Sequence, residues 1–249
     1  LVHCGTVGWD SLDITVLLAE RHAGVWPGDP AARAWARCAA AEMHSGFGAL
    51  RNTCSMNCGL RIRLHETSPA LQRDLDRIDE LWSEGLQRFG GPFLAGAAFS
   101  AVDAFYAPVA FRVRTYGLAV SAPATAYVER LLALPSMLEW NRAALVEPWR
   151  DEEHEVEALA VGTLVEDLRA PRHDAAAAAE ELTVERVQRV DVIAGEGVVC
   201  AGVVAVVDPQ QRQAVGLANQ ILHTRVAAPP GETKAERRRR ESRESRLWP

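Results

Sequence analysis

Between Ala101 and Phe111 the chain reads AVDAFYAPVAF, and Asp103 is its only charged residue. A stretch apolar on every side predicts a helix in the middle of a helical domain, with other helices packed around it. Ser100 followed by Asp103 three residues later has the capping-box pattern, with Asp in the usual Glu/Gln place. Phe99 just outside the cap can pack back onto the helix. Pro108 removes one ladder bond and predicts a bend near Ala104. Further helices follow the same kind of reading. One is expected over Ser11–His22, with Leu12, Val16 and Ala19 along a stripe. Another starts at Asp29-Pro30, a cap followed by Pro at the first helical position. Its apolar positions Trp35, Ala39, Met43, Phe47 and Leu50 keep helical spacing, while Ser45, Gly46 and Gly48 invite a bend. A long helix opens at Pro69 behind Thr67 or Ser68. Leu71, Leu75, Ile78, Trp82 and Phe89 line its buried side, and Gly90-Gly91-Pro92 ends it. Helices over Ala122–Leu132, from Pro135 (Met137, Leu138 and Trp140 inward) and over Glu155–Arg169 complete the set.

The two ends differ from this middle. Leu1–His3 and Val7–Trp9 read as short strands around Gly5. After Arg169 an alanine run (175–179) lies in an expected helix reaching Arg189. Val190–Val207 reads as a strand pair turning at Gly195-Glu196-Gly197, and a short helix is expected from Asp208-Pro209 to His223. Gly195-x-Gly197 lacks a properly spaced third glycine and an acidic ribose partner, so a dinucleotide site is rejected. The run Lys234–Arg240 reads as a solvated or disordered tail. The expected organisation is thus a short segment 1–26, an all-α domain 27–169 and an extension 170–249 of unspecified, partly disordered fold.

Composition narrows the classes. A net charge of −6 argues against a nucleic-acid partner. No apolar run reaches the roughly 20 residues that span a bilayer, so no membrane role is expected. Five unevenly spaced cysteines point to reduced thiols and a cytoplasmic setting more than to a disulfide framework. Cys54 and Cys58 lie one helical turn apart on this reading, but no second ligand cluster accompanies them, so no metal is expected.

The candidate chemistry lies at Trp9-Asp10-Ser11, where a strand hands over to a helix. A helix N-terminus with free N–H groups, a carboxylate and a hydroxyl can hold the ammonium and carboxylate of an amino-acid head group. Plain capping by Asp10 or Ser11 explains the same residues, and pattern alone favours it.

Three stretches resemble glutathione S-transferases. VGWDSLDITVLLAE (Val7–Glu20) resembles the end of their thioredoxin-like domain. Ala41–Phe47, AEMHSGF, with Ala49-Leu50-Arg51 after it, is similar to a bacterial branch of the family. Phe93-Leu94-x-Gly96 followed by Ser100-x-x-Asp103 resembles the family's C-terminal domain. The resemblance runs from Leu1 to about Arg169. It implies a mainly α fold: the C-terminal helical bundle of the family behind a remnant of the thioredoxin-like domain. It also implies that Asp10 and Ser11 bind the γ-glutamyl end of glutathione, the co-substrate, and that Met43, Phe47 and Arg51 line the electrophile pocket. A Met and a Phe at helical spacing are more often plain core, and spacing alone favours that reading of Met43 and Phe47. The implied reaction is attack of the glutathione thiolate on a small electrophile, in a cytosolic homodimer. Asp13 stands where the family has a small apolar residue. The first strand, helix and second strand, with the Ser, Tyr or Cys that activates the thiol, have no counterpart. The resemblance therefore implies an N-terminally incomplete chain, inactive as it stands. The alternative is a non-catalytic transferase-like helical domain that mediates protein association.

Overall fold

The computed structural model describes residues 2–3, 6–7, 9–147, 150–171, 198–200, 203–207 and 214–218. Its helices are α1 (Ser11–Ala19), α2 (Pro30–Ser45), α3 (Gly48–Thr53), α4 (Pro69–Phe89), α5 (Ala101–Tyr116), α6 (Ala122–Leu132), α7 (Pro135–Val146) and α8 (Glu152–Ala160). Three small antiparallel sheets accompany them: β1 (Val2–His3) with β2 (Thr6–Val7), β3 (Leu60–Leu64) with β4 (Gly162–Asp167), and β5 (Val198–Cys200), β6 (Val203–Val207) and β7 (Ala214–Ala218) in order. The architecture is mainly α, as the pattern predicts.

α5 is the buried rod of the bundle. Twelve of its 16 residues are buried, so the uniformly apolar stretch has neighbours on all sides. Asp103 is completely buried and collects four donors. Oδ2 accepts from the Ser100 N–H at 2.9 Å and the Ser100 hydroxyl at 3.3 Å, and Oδ1 accepts from the Leu94 N–H and the Tyr127 hydroxyl, both at 3.0 Å. The expected cap is therefore built with the carboxylate reaching back, and the same group ties the 94–100 loop and α6 to the start of α5. Ala101 N–H donates to Val25 O at 2.8 Å, fixing the linker before α2 to the same point.

Packing around α5 follows side-chain size. Ala36, Ala39 and Ala40 on α2 are almost wholly buried and let that helix come close, and the Tyr106 hydroxyl of α5 donates to Ala39 O at 3.1 Å. On the α4 side Trp82 is fully buried and meets the Tyr127 ring at 5.0 Å and the Tyr106 ring at 5.8 Å, both edge-on, the arrangement aromatic quadrupoles favour. Ser68 caps α4, Leu71, Leu75, Ile78 and Trp82 of the expected stripe are buried together with Leu81 and Gly85 while Phe89 is only half-buried, and Gly90 ends the helix at φ +77°.

Several expectations are corrected. α1 stops at Ala19, short of His22. The helix expected to run to Leu50 breaks at Gly46 and Phe47: Gly46 is extended and Phe47 takes φ +57°, so α2 and α3 are separate. Cys54 and Cys58 are not on a helix but bracket an irregular loop. The end of α5 holds that loop through backbone carbonyls: Arg112 Nε donates to Cys54 O (2.7 Å), the Tyr116 hydroxyl to Ser55 O (2.9 Å) and the Thr115 hydroxyl to Asn57 O (2.5 Å). Leu138 points outward, 55% exposed, while Met137 is buried.

The helix expected over Glu155–Arg169 ends at Ala160, and 162–167 is β4. Its partner β3, Leu-Arg-Ile-Arg-Leu, alternates apolar and charged residues at the strand period. Gly162 lets the strands meet, because a Cβ there would lie 2.5 Å from Arg63 O. The short helix expected over 208–223 is overturned by β7, which pairs with β6 from Val203↔Ala218 to Val207↔Ala214. A valine-rich strand pair is present, but it is Val198–Cys200 with Val203–Val207, both after the expected turn at Gly195-Glu196-Gly197. The Gly195–Gly197 turn, the 175–189 helix, Trp149 and the Lys234–Arg240 run lie outside the described residues.

Candidate functional site at the start of α1

Asp10 has the extended backbone of an N-cap. Its Oδ1 accepts from the N–H of Leu12 at 2.8 Å and of Asp13 at 3.3 Å, so plain capping is real. The other carboxylate oxygen is not used by the helix. Oδ2 lies 3.1 Å from Nε2 of His44, in the last turn of α2, and Nδ1 of the same imidazole lies 3.1 Å from Ser11 Oγ. One ring from the helical domain therefore bridges the two residues singled out as head-group ligands. The Phe105 ring of α5 stands edge-on to it at 6.4 Å. Asp10 and His44 side chains are 45% and 35% exposed, so a small polar ligand can reach them. Asp13 is exposed, away from any helix–sheet contact among the described residues.

Serine, imidazole and carboxylate in one line invite comparison with an acyl-transfer triad, and the geometry rejects it. The N–H groups of Leu12 and Asp13, the nearest candidates for holding an oxyanion, are occupied by Asp10 itself. What remains is a carboxylate, an imidazole and a hydroxyl gathered at a helix N-terminus.

The break after α2 explains the rest of the AEMHSGF run. Met43 turns into the core at 5% exposure and Phe47 at 7%, while His44 between them faces α1. Arg51 folds back so that one guanidinium nitrogen donates to the carbonyls of Met43 and His44, two acceptors left open where the helix ends. Phe47 has no side chain able to cap α3, and Asp74 of α4 supplies the acceptor for the Leu50 N–H at 2.9 Å. Met43, Phe47 and Arg51 thus sit on the same junction as Asp10 and Ser11, two as core and the third partly exposed. Ser100 and Asp103 belong to the scaffold.

Two of the thiols, Cys54 and Cys58, are buried. Burial pushes Cys54 and Cys58 up to about 12, against the pull of nearby arginines, and a thiol so disfavoured as an anion does little chemistry. Among the described residues no cluster of three or more His, Cys, Asp or Glu side chains is placed to hold a metal ion. No helix among them is long and apolar enough to cross a membrane.

His44 is the residue that sequence reasoning passed over. Its signal was its place in the Ala41–Arg51 run, at the end of a helix whose next residues break the period. No curated protein matches the chain. Residues 66–150, from the approach to α4 past the end of α7, match the family model described as the C-terminal domain of glutathione S-transferases. Over that stretch, wrapped on its buried central helix, the chain is similar to the C-terminal domain of the glutathione S-transferases.

Proposed function

We propose that the protein binds glutathione through the γ-glutamyl head group, with the ammonium on Asp10 Oδ2 and the carboxylate at Ser11 and the N-terminus of α1. The observation that carries this is the division of labour in Asp10: Oδ1 caps the helix and Oδ2 is turned to a half-exposed polar site beside Ser11. A helix dipole and a hydroxyl on one side of a carboxylate suit a zwitterion better than either ion alone. Met43, Phe47 and Arg51 form the adjoining wall for an electrophile, with Arg51 the member that has surface to offer. In the full reaction the glutathione thiolate attacks a small electrophilic carbon, which requires a lowered thiol pKa. No described residue is assigned to that task, and we expect this chain to bind without turning over. A cytoplasmic homodimer is part of the same reading. It is supported by the exposed apolar side chains of Val156, Leu159, Leu164, Val165 and Leu168, which are candidates for burial against another surface.

The test is calorimetric titration of glutathione into the wild type and Asp10→Asn. Asparagine keeps the N-cap and removes the charge. Binding in the millimolar range or tighter, weakened about tenfold by the loss of one charge-assisted bond, supports the reading. Equal affinity of the two proteins, or no heat up to saturation, would transfer support to the non-catalytic association domain.

A further inference from the structure

The imidazole that bridges Asp10 and Ser11 also controls what Ser11 can offer a ligand. An ionised Asp10 only accepts, so the His44 nitrogen facing it, Nε2, must carry a hydrogen. In the neutral ring the other nitrogen is then bare. A bare Nδ1 also only accepts, which forces the Ser11 hydroxyl to donate to it across the 3.1 Å contact. Ser11 has one hydroxyl hydrogen. Spent on the ring, it leaves only lone pairs facing outward, and these repel a carboxylate. In the imidazolium both ring nitrogens donate, Ser11 Oγ becomes the acceptor, and its hydrogen is free to turn to a ligand.

We infer that His44 is a proton-linked member of the head-group site: a ligand carboxylate is accepted at Ser11 with His44 in the doubly protonated form, while the ligand ammonium shares Asp10. This rests on the glutathione reading above and adds the state of the site that binds. Asp10 faces the ring from the α1 cap, and Asp13 of that helix points to water. Arg51 of α3 reaches the His44 backbone carbonyl. From α5 only the Phe105 ring meets the imidazole. On α2 itself Glu42 is engaged by Arg77 at 2.7 Å and 3.0 Å. Removing the ring's positive state thus leaves an anion, Asp10, as the nearest charge to an incoming carboxylate.

The experiment is a glutathione titration of the whole chain at fixed pH, followed by NMR at two places. The backbone amides of Leu12 and Asp13 report occupation of the site, and the ring carbon and nitrogen signals of His44 report its protonation. We expect the amides to shift and the His44 ring to move toward the imidazolium signature in step with them. In His44→Gln, whose side-chain amide can still bridge a carboxylate and a hydroxyl, we expect the amides to shift at several-fold higher glutathione. The variant should show no proton uptake when binding heats are compared in buffers of different ionisation enthalpy. Amide shifts with a His44 ring that stays neutral would overturn the inference and leave the glutathione reading intact, as would unchanged affinity and proton uptake in His44→Gln. If the amides of Leu12 and Asp13 do not move at saturating glutathione, the head-group reading fails and this inference goes with it.

Discussion

Asp103 shows how one side chain can carry a domain. It is fully buried, yet it is the common acceptor for the loop before α5, the cap of α5 and the Tyr127 hydroxyl of α6. Replacing it with alanine leaves two N–H groups and two hydroxyls buried without this acceptor, and we expect a loss of about 3–5 kcal/mol in chemical denaturation. Tyr127→Phe removes one donor and keeps the ring against Trp82, so its cost should be about 1 kcal/mol. The carboxyl also sets a pH dependence. Burial raises it to about 6 from an ordinary 3.8, against the opposing pull of its hydrogen bonds. A carboxyl raised on folding binds more protons folded than unfolded across that window. Its contribution is fully present below the window and lost as pH rises through about 6. The stability advantage of the wild type over Asp103→Asn should therefore shrink between pH 4 and pH 7, by up to about 3 kcal/mol. A gap that widens with pH would contradict the assignment.

At the scale of elements, the helices with a strong apolar pattern and a cap were legible: α4 from Ser68 to Gly90 and α5 from Ser100. What was not legible depended on contacts far along the chain. β3 and β4 are about a hundred residues apart and each is marginal alone. Only their pairing, at a glycine close to Arg63 O, turns the end of an expected helix into a strand. Gly162→Ala should push that pair apart and cost about 1–3 kcal/mol by overpacking, measured by urea melts. The break after α2 was legible as glycines but not as a cap, because its carbonyls are satisfied by Arg51 and its successor helix by Asp74. Arg51→Ala should lower stability by about 1–2 kcal/mol and speed amide exchange at Gly46, whose N–H closes the last turn of α2. In the candidate site, Asp10 and Ser11 were readable from the strand-to-helix handover. His44 was not, since nothing local tells that the end of α2 comes to rest on the start of α1.

For the molecule as a whole, the match over 66–150 covers α4 to α7, while the proposed ligand site lies ahead of it, on α1 and the end of α2. The scaffold and the site meet through His44, whose ring touches Phe105 of the central helix on one side and Asp10 and Ser11 on the other. A site built this way recognises the γ-glutamyl residue, and not the thiol or the glycine end. The most direct measurement compares the affinity of the whole chain for glutathione and for cysteinylglycine, the same peptide without that residue. We predict binding of glutathione and at least about tenfold weaker binding of the dipeptide, the loss of one charge-assisted pair. Equal affinity for the two would place recognition elsewhere and contradict the site.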